Sequence, residues 1–516
     1  MTGAGGVGTK VGGVATIDAT RRSAQADAVA PEGHVIDSRL VDILGVVVVL
    51  GLPMAWWLSL LLLVETSVVD LTPPKIVAIA SLGLALLTRP WRFVGRADAL
   101  TLGLFAVYAG WFVVTSALRA SAGDAKLTLG YVIFLLGPML AAYVAARLAP
   151  GRTSYLLVGA VLVALAATFA GVIIERFTYP GLDGTDPLSP LWSFFRPQSG
   201  MQDPILGTVA PPSLHFSSGD PMIPRVTAWF AHVNYLAFFA VLAGVLGATL
   251  TLWGLRRRHR AMTVAGALAV AAASLITVWT YSRVGLVGLP IGIIATIVIE
   301  IVARGRPTAP SRWLSLASPV VIAGLVLGVA LLLDPVGLRR MVPPVDQSTG
   351  GLTVGEQAAA IEASAERSTA LRITMQMTAL EMIAESPAGM IIGPGQRAFE
   401  AAVHRPDSPH YVAEAIGVRD PNSLWLSVAL SGGVVGVVLL ILAFAVVAGR
   451  LWRIIRSRSD SPSTLVTAWL AAWFVTWAGM QFLGTYPFAP SEAVILGTLT
   501  GVATGLSSTG DRTLAR

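Results

Sequence analysis

Two long apolar runs separated by three residues decide the fold class: AMTVAGALAVAAASLITVWT (261–280), YSR (281–283) and VGLVGLPIGIIATIVIEIV (284–302). Each run has about the 20 residues that a helix needs to cross the hydrocarbon core of a bilayer. The sequence therefore predicts two membrane-spanning helices joined by a very short turn. Arg283 stands at the boundary between them, where a charge is costly, and this position indicates a functional anionic partner.

The whole chain has the composition of a polytopic membrane protein. Of its 516 residues, 54% are hydrophobic and only 13% are charged, which excludes an ordinary soluble domain. The formal net charge of +7 comes from arginines in short clusters between apolar runs, so it indicates membrane topology rather than nucleic-acid binding. The chain has no cysteine, which excludes a disulfide framework and thiol chemistry.

Twelve apolar runs predict about twelve transmembrane helices and an all-α integral membrane fold. Residues 1–40 are predicted to form a disordered tail, 41–508 the membrane domain and 509–516 a second tail. The second run is short and the last contains Pro490 and Glu492, so these two runs are the weakest predictions of a span. The runs are Ile43–Val64, Ile76–Thr88, Ala99–Ala117, Leu127–Ala146, Tyr155–Ile174, Val226–Leu255, Ala261–Thr280, Val284–Val302, Trp313–Leu333, Leu424–Ala448, Leu465–Leu483 and Phe488–Leu506.

Arginines alternate between the two sides of the predicted bundle. Because cytoplasmic loops carry the surplus of Arg and Lys, both tails are predicted to be cytoplasmic and Arg283 extracytoplasmic. The basic residues before span one and after each even-numbered span include Arg21, Arg22, Arg39, Arg89, Arg92, Arg96, Arg147, Arg152, Arg256, Arg257, Arg258, Arg260, Arg304, Arg306, Arg312, Arg450, Arg453, Arg456 and Arg458.

Two long loops, 175–225 and 334–421, then face outside. No cytoplasmic loop is long enough for a nucleotide-binding domain, which argues against ATP-driven transport by this chain. In the second loop, Glu356 to Ser386 is predicted to be a helix closed by Pro387. Arg372 in this helix is either solvated, paired with a neighbour such as Glu381, or functional. The predicted helix buries one face, formed by Leu371, Met375, Thr378 and Met382.

Four segments in this part of the chain resemble the O-antigen ligase and polymerase superfamily, in the family's order. The first two are Arg225-Val-Thr-Ala-Trp-Phe-Ala-His-Val-Asn234 and Thr280-Tyr-Ser282-Arg283-Val-Gly285. The third runs from Arg372 through Pro387 to Gly393-Pro394-Gly395-Gln396-Arg397-Ala398-Phe399, and the fourth is Asp420-Pro421-Asn422-Ser-Leu-Trp-Leu with Gly433 and Gly436 downstream. The order of the four segments, rather than any one of them, carries the resemblance.

The resemblance implies a GT-C-like membrane glycosyltransferase of the bacterial inner membrane that needs no metal, cofactor or nucleotide sugar. It implies transfer of a glycan from a polyprenyl-diphosphate donor to a glycan or lipid-glycan acceptor on the extracytoplasmic face, with inversion. Membrane lipids are the other expected partners, and nucleic acid is not expected. Guanidinium groups stabilise a diphosphate leaving group through charged, bidentate hydrogen bonds. Arg283 and Arg372, with Arg225 assisting, are therefore predicted to bind the diphosphate.

The chain departs from the family at Pro421, where the family commonly has a histidine, and proline cannot act as a base. The alternatives for deprotonating the acceptor hydroxyl are Asp420, His410 and Glu414. Asp420 could equally cap the following helix, and His410 and Glu414 could be solvated loop residues.

Four further polar residues lie in the resembling segments: His232, Asn234, Ser282 and Asn422. They are predicted either to contact substrate or to bond neighbouring helices. His404 and His410 lack zinc-site spacing, so no metal site is expected.

Two other classes of function remain open, a secondary transporter or flippase for lipid-linked glycans and a non-catalytic scaffold for envelope assembly. The transporter hypothesis lacks the repeated halves that such proteins often show. Ligase and polymerase share the donor chemistry and differ only in the acceptor, so both remain open too.

Overall fold

The fold is described from a computed structural model of the full chain. The residues that it describes are 39, 42–47, 51, 73–92, 94–119, 122–178, 202–203, 207–208, 230, 233–280, 282–305, 309–333, 370–413, 421–456, 461–482 and 490–514. All statements below concern these residues.

The described chain is helical apart from turns and one small strand pair, which confirms the predicted all-α class. Strands β1 (Gln202–Asp203) and β2 (Gly207–Thr208) pair antiparallel. Two short helical stretches, 42–47 and the 3-10 turn Pro90–Arg92, flank the first helix. The helices are α1 (Pro73–Leu87), α2 (Arg96–Leu118), α3 (Ala122–Leu148), α4 (Pro150–Thr178), α5 (Val233–Arg257), α6 (Arg260–Trp279), α7 (Arg283–Arg304), α8 (Pro310–Leu333), α9 (370–384), α10 (Pro387–Ile392), α11 (Gln396–His404), α12 (Leu424–Arg456), α13 (Pro462–Met480) and α14 (Pro490–Leu514).

Nine of the described helices are long and apolar enough to cross a bilayer, namely α2 to α8, α12 and α13. They correspond to nine of the twelve predicted spans. The second predicted span is α1, and the last lies in α14; both are shorter apolar segments, Pro73–Leu87 and Glu492–Ser507. Most of the first predicted span, Ile43–Val64, lies outside the described residues. The architecture is that of a polytopic membrane protein, and the count of twelve stays a prediction.

Helix α5 forms the centre of the bundle. In its most apolar stretch 94% of the residues are buried, against 17% for α8. A helix that is apolar all round is buried on every side in the bundle interior, whereas a peripheral one can present its apolar surface to lipid. Helices α6, α7 and α13 pack around α5, and Trp469 of α13 donates a 3.1 Å hydrogen bond to the carbonyl of Leu242.

Small residues set how closely these helices approach. A Cβ on Gly247 of α5 would lie 2.8 Å from the carbonyl oxygen of Gly266 on α6. On α14, the series Gly497, Gly501 and Gly505 faces backbone carbonyls of α3, and a Cβ at Gly505 would lie 2.6 Å from the oxygen of Tyr143. The hydrophobic effect contributes little to the association of helices in lipid. Close backbone packing through small residues stabilises their association instead.

Helix α12 is broken at Gly433, whose φ of 63° and ψ of −168° are not helical. Helix α10 lies against this break, and α9 and α11 share a small hydrophobic core with the first turns of α12. The predicted buried face of α9 is confirmed: Met375, Thr378 and Met382 are buried and Leu371 packs beside them. The residues 356–369 of the predicted helix lie outside the described residues.

Candidate functional site

The site lies at one end of the bundle, where α5, α7 and α12 begin and α2 and α13 end; we call this the loop end. Thr280 closes α6 by donating through its hydroxyl to the carbonyl of Thr277 at 2.9 Å. Ser282 is the N-cap of α7 in extended conformation, and its carbonyl accepts the first hydrogen bond of the helix, from Leu286 at 3.0 Å. Arg283 is consequently the first residue of α7.

The Ser282 hydroxyl does not cap its own helix but donates to Oδ1 of Asn234 at 2.9 Å. Both side chains are buried. Asn234 lies in the first turn of α5, so this bond fixes the start of α7 against the start of α5. The structure thereby brings together two residues that the sequence analysis placed in separate segments.

Close packing explains why position 285, in the same segment as Ser282 and Arg283, is a glycine. A Cβ there would lie 3.0 Å from the Cβ of Ala237 on α5 and 3.0 Å from Cγ2 of Thr277 on α6. Such a contact is tighter than ordinary packing allows, so only glycine lets the three helix ends converge. Arg283 is held at this convergence, half-buried.

Arg372 comes from α9, about ninety positions further along the chain, and lies close enough to Arg283 for the two guanidinium groups to repel one another. Helix α9 is fixed over the loop end by its buried face and by Gln376, whose amide donates to the carbonyl of Phe482 at 3.4 Å. Two neighbouring cations repel one another, and an anion bound beside both is attracted to each. The pair therefore forms a candidate anion site.

The glycine-rich turn after α10 sits on the break in α12. Gly393 and Gly395 have φ of 75° and 104°, values that favour glycine. A Cβ on Gly433 would collide with the Ile391 carbonyl, so the two backbones touch only because glycine stands there. The Gly395 amide donates to the Leu430 carbonyl at 2.8 Å, which satisfies one acceptor that the break releases.

Arg119 joins this turn to the end of α2. Its Nη1 donates to the carbonyls of Ile392 at 2.8 Å and Ser431 at 2.9 Å, with Gly393 at 3.3 Å. Two further α2 side chains bond the same break: Trp111 donates to Gly432 at 2.7 Å and Thr115 to Ser431 at 2.9 Å. This clamp was not predicted from the sequence, because neither residue spacing nor composition relates α2 to a break about 300 positions away.

Replacing Arg119 with Met is expected to lower the free energy of unfolding by about 2 kcal/mol, because the partly buried carbonyls of Ile392 and Ser431 lose their charged donor. Arg119→Lys should lose roughly half as much, since one ammonium cannot reach all three carbonyls. The measurement is unfolding in mixed micelles titrated with a denaturing detergent. Arg405→Met, at an exposed position after α11, is the control. An unchanged Arg119→Met midpoint would contradict the clamp.

His410 lies at the other end of α9 from Arg372. Its Nε2 contacts Oε1 of Glu385 at hydrogen-bond distance, and its Nδ1 is 3.9 Å from Oε2 of Glu381. Helical rise puts these glutamates about 13 to 20 Å along α9 from Arg372. The structure therefore brings Arg283 and Arg372 together but does not bring His410 to them.

Asn422 stands just before α12 with a φ of 53°, a conformation that asparagine tolerates better than most residues. Four other candidates, Arg225, His232, Glu414 and Asp420, lie outside the described residues, and their predicted roles stay predictions. Among described residues, no group of three or more His, Asp or Glu side chains is placed to hold a metal ion.

A second buried polar cluster, at the opposite end of the bundle, was also missed. Arg450 of α12 forms an ion pair with Asp98 of α2, and both side chains are only 3% exposed. The Tyr143 hydroxyl of α3 donates to Oδ2 of Asp98 at 2.9 Å, and Arg450 donates to Thr101 at 3.1 Å. Arg450 was predicted to be one of the basic loop residues, but α12 continues to Arg456 and Arg450 is buried.

Part of the chain is similar to a known protein family. Residues 267–441 match the model of the O-antigen ligase family, a range that contains Ser282, Arg283, Gly285, Arg372 and Gly433. No curated protein matches the chain significantly. Over these residues the match confirms the resemblance to the O-antigen ligase and polymerase superfamily that was read from the sequence.

Proposed function

We propose that this protein is a GT-C-type membrane glycosyltransferase that moves a glycan from a polyprenyl-diphosphate donor to a sugar acceptor. The family supports a glycan ligase or polymerase that uses lipid-linked glycan in a membrane. The observation that carries the donor class is the pairing of Arg283 with Arg372 at the mouth of a membrane helix. A lipid diphosphate presents its anionic group at this depth, with the prenyl chain in the bilayer.

The arginines supply what a metal ion supplies in other diphosphate chemistry. The acceptor hydroxyl oxygen forms a bond to the anomeric carbon as the bond from that carbon to the diphosphate oxygen breaks. The diphosphate leaves with the electron pair, and the hydroxyl proton passes to a base. Paired guanidinium groups stabilise the developing charge with bidentate hydrogen bonds and need no metal or cofactor. Attack from the face opposite the leaving group inverts the anomeric carbon.

Asp420 is our preferred base. In the sequence it immediately precedes Pro421, a buried residue three positions before α12. His410 lies away from the arginine pair, against Glu385. Glu414 follows the described end of the loop at Ala413, and remains the second choice.

We place the reaction on the extracytoplasmic face of a bacterial inner membrane, with both termini cytoplasmic. The support is the distribution of arginine: Arg256 and Arg257 end α5, Arg258 lies in the turn that follows, and Arg260 begins α6, all opposite the loop end. Positively charged turns of this kind stay in the cytoplasm.

The test is turnover by purified protein in lipid, supplied with a polyprenyl-diphosphate oligosaccharide and a saccharide acceptor. Release of polyprenyl diphosphate together with an inverted glycosidic product would support the proposal. A ladder of products would indicate a polymerase and a single addition a ligase. Movement of intact donor across the bilayer without bond cleavage would overturn the proposal in favour of a flippase.

A further inference from the structure

Gln481 is a fully buried amide at the loop end, directly after α13, with 0% exposure. Neither its Oε1 nor its Nε2 has a hydrogen-bond partner, and it is the only side chain in the described part of the chain with two such atoms. Buried polar groups are normally hydrogen-bonded, so an amide with two atoms that have no protein partner is a candidate to bind a polar ligand. Its backbone is conventional, since its amide donates to Trp477 at 3.0 Å.

Three contacts place Gln481 among α7, α9 and α12. Its own carbonyl accepts from the Leu424 amide at 3.3 Å, at the start of α12. The preceding residue, Met480, packs on Gly288 of α7, where a Cβ would lie 2.6 Å from its sulfur; Gly288 is little more than one turn from Arg283. The next residue, Phe482, receives the bond from Gln376, one turn from Arg372. Gln481 therefore lies between the helices that carry Arg283 and Arg372.

Two more unsatisfied polar atoms lie in the first turn of α12. The Trp425 indole nitrogen and the Ser427 hydroxyl are buried without a partner among the described residues. The Trp425 ring packs on Phe482 with centroids 5.8 Å apart, so this turn adjoins Gln481. The first turn of α12 and the end of α13 thus both carry unsatisfied buried polar atoms where they adjoin.

Building on the proposed function, we propose that Gln481, with Trp425 and Ser427, forms a saccharide-binding subsite next to the diphosphate site. A diphosphate offers only acceptor oxygens and would leave Oε1 of Gln481 unsatisfied. A sugar hydroxyl both donates and accepts, and therefore matches an amide, a hydroxyl and an indole N–H together. The subsite holds either the first sugar of the donor or the acceptor sugar, which share this chemistry.

The test compares Gln481→Met and Ser427→Ala with the intact protein in lipid. The binding probes are polyprenyl diphosphate alone and polyprenyl diphosphate bearing one N-acetylglucosamine, and the kinetic readout is the KM for the acceptor. Loss of two hydrogen bonds is expected to weaken binding of the sugar-bearing probe about tenfold for Gln481→Met, and of one about threefold for Ser427→Ala. Neither variant should alter binding of the bare polyprenyl diphosphate.

Thr500→Val is the matched control, because Thr500 of α14 also has a buried hydroxyl without a partner among the described residues. It should change neither probe. Thermal stability of Gln481→Met should equal or exceed that of the intact protein, since an unsatisfied buried amide is replaced by an apolar chain of similar size.

The outcomes are separable. Weaker binding of the sugar-bearing probe assigns the subsite to the donor, and a raised acceptor KM alone assigns it to the acceptor. Unchanged values for both, or a marked fall in melting temperature for Gln481→Met, would overturn the subsite. If Arg283→Ala leaves binding of bare polyprenyl diphosphate intact, the failure is that of the diphosphate assignment instead.

Discussion

Arg283→Ala is expected to lower kcat/KM for glycan transfer about 10³-fold. The guanidinium stabilises charge that develops only as the diphosphate departs, and removal of one such group typically costs two to three orders of magnitude. Arg283→Lys should recover about tenfold of the loss, because an ammonium keeps the charge but not the bidentate geometry. The double variant Arg283→Ala with Arg372→Ala should have a kcat/KM only slightly below that of the less active single variant, since both groups act on one diphosphate.

The measurement is initial rate with purified protein in lipid at equal folded yield. Arg405→Ala is the control, as this exposed arginine follows α11 on the same side but is not part of the pair. Retention of a third or more of the rate by Arg283→Ala would contradict the role assigned to it. Strict additivity of the two alanine variants would show that the arginines do not share a ligand.

Asp98→Asn is expected to destabilise the protein by about 3 to 5 kcal/mol, because it leaves the charge of Arg450 uncompensated in a buried site. Tyr143 would also lose the carboxylate oxygen to which it donates. Arg450→Met alone should have an effect of the same order, since Asp98 would then be the uncompensated charge. Both are measured as detergent-titrated unfolding of the purified protein.

The control is the double variant Asp98→Leu with Arg450→Met, which removes both charges at once. Buried ion pairs are often replaced by apolar residues with little loss, so the double variant should recover most of the lost stability. A double variant as unstable as the sum of the singles would contradict a direct pairing. The catalytic rate per folded molecule of the double variant should stay near that of the intact chain, because the Asp98–Arg450 ion pair lies at the opposite end of the bundle from Arg283.

The spans could be predicted from sequence because the requirement is local. About 20 apolar residues in a row form a helix in a bilayer whatever surrounds them, since every backbone group must be bonded within the segment. The ends of α6, α7 and α8 accordingly lie within a few residues of their predicted limits. The predictions of α1 and α14 as spans were weaker. Helix α1 is short, and Pro490 and Glu492 interrupt the apolar run in α14.

The site was predictable only in part. Arg283 and Arg372 were identified by their places in family-like segments, and Ser282 and Asn234 likewise. Arg119, Trp425 and Gln481 were not identified, because an arginine after a span, or a tryptophan or glutamine near its end, is ordinary in sequence. What distinguishes these residues is their hydrogen bonding in the folded protein. Arg119 donates to three carbonyls, whereas Trp425 and Gln481 have buried polar atoms without a hydrogen-bond partner among the described residues.

By itself, the sequence determined the membrane class, the approximate spans and the resemblance to the superfamily. These follow from the lengths of apolar runs, the alternation of charge and short sequence segments, all of which are local features of the sequence. Tertiary structure alone decided which residues meet. Gly285, Gly393 and Gly433 permit backbone contacts that bring α7, α10 and α12 to one place, and the pairing of Arg283 with Arg372 depends on how α9 packs there. Such contacts join positions far apart in the chain, and no local pattern encodes them.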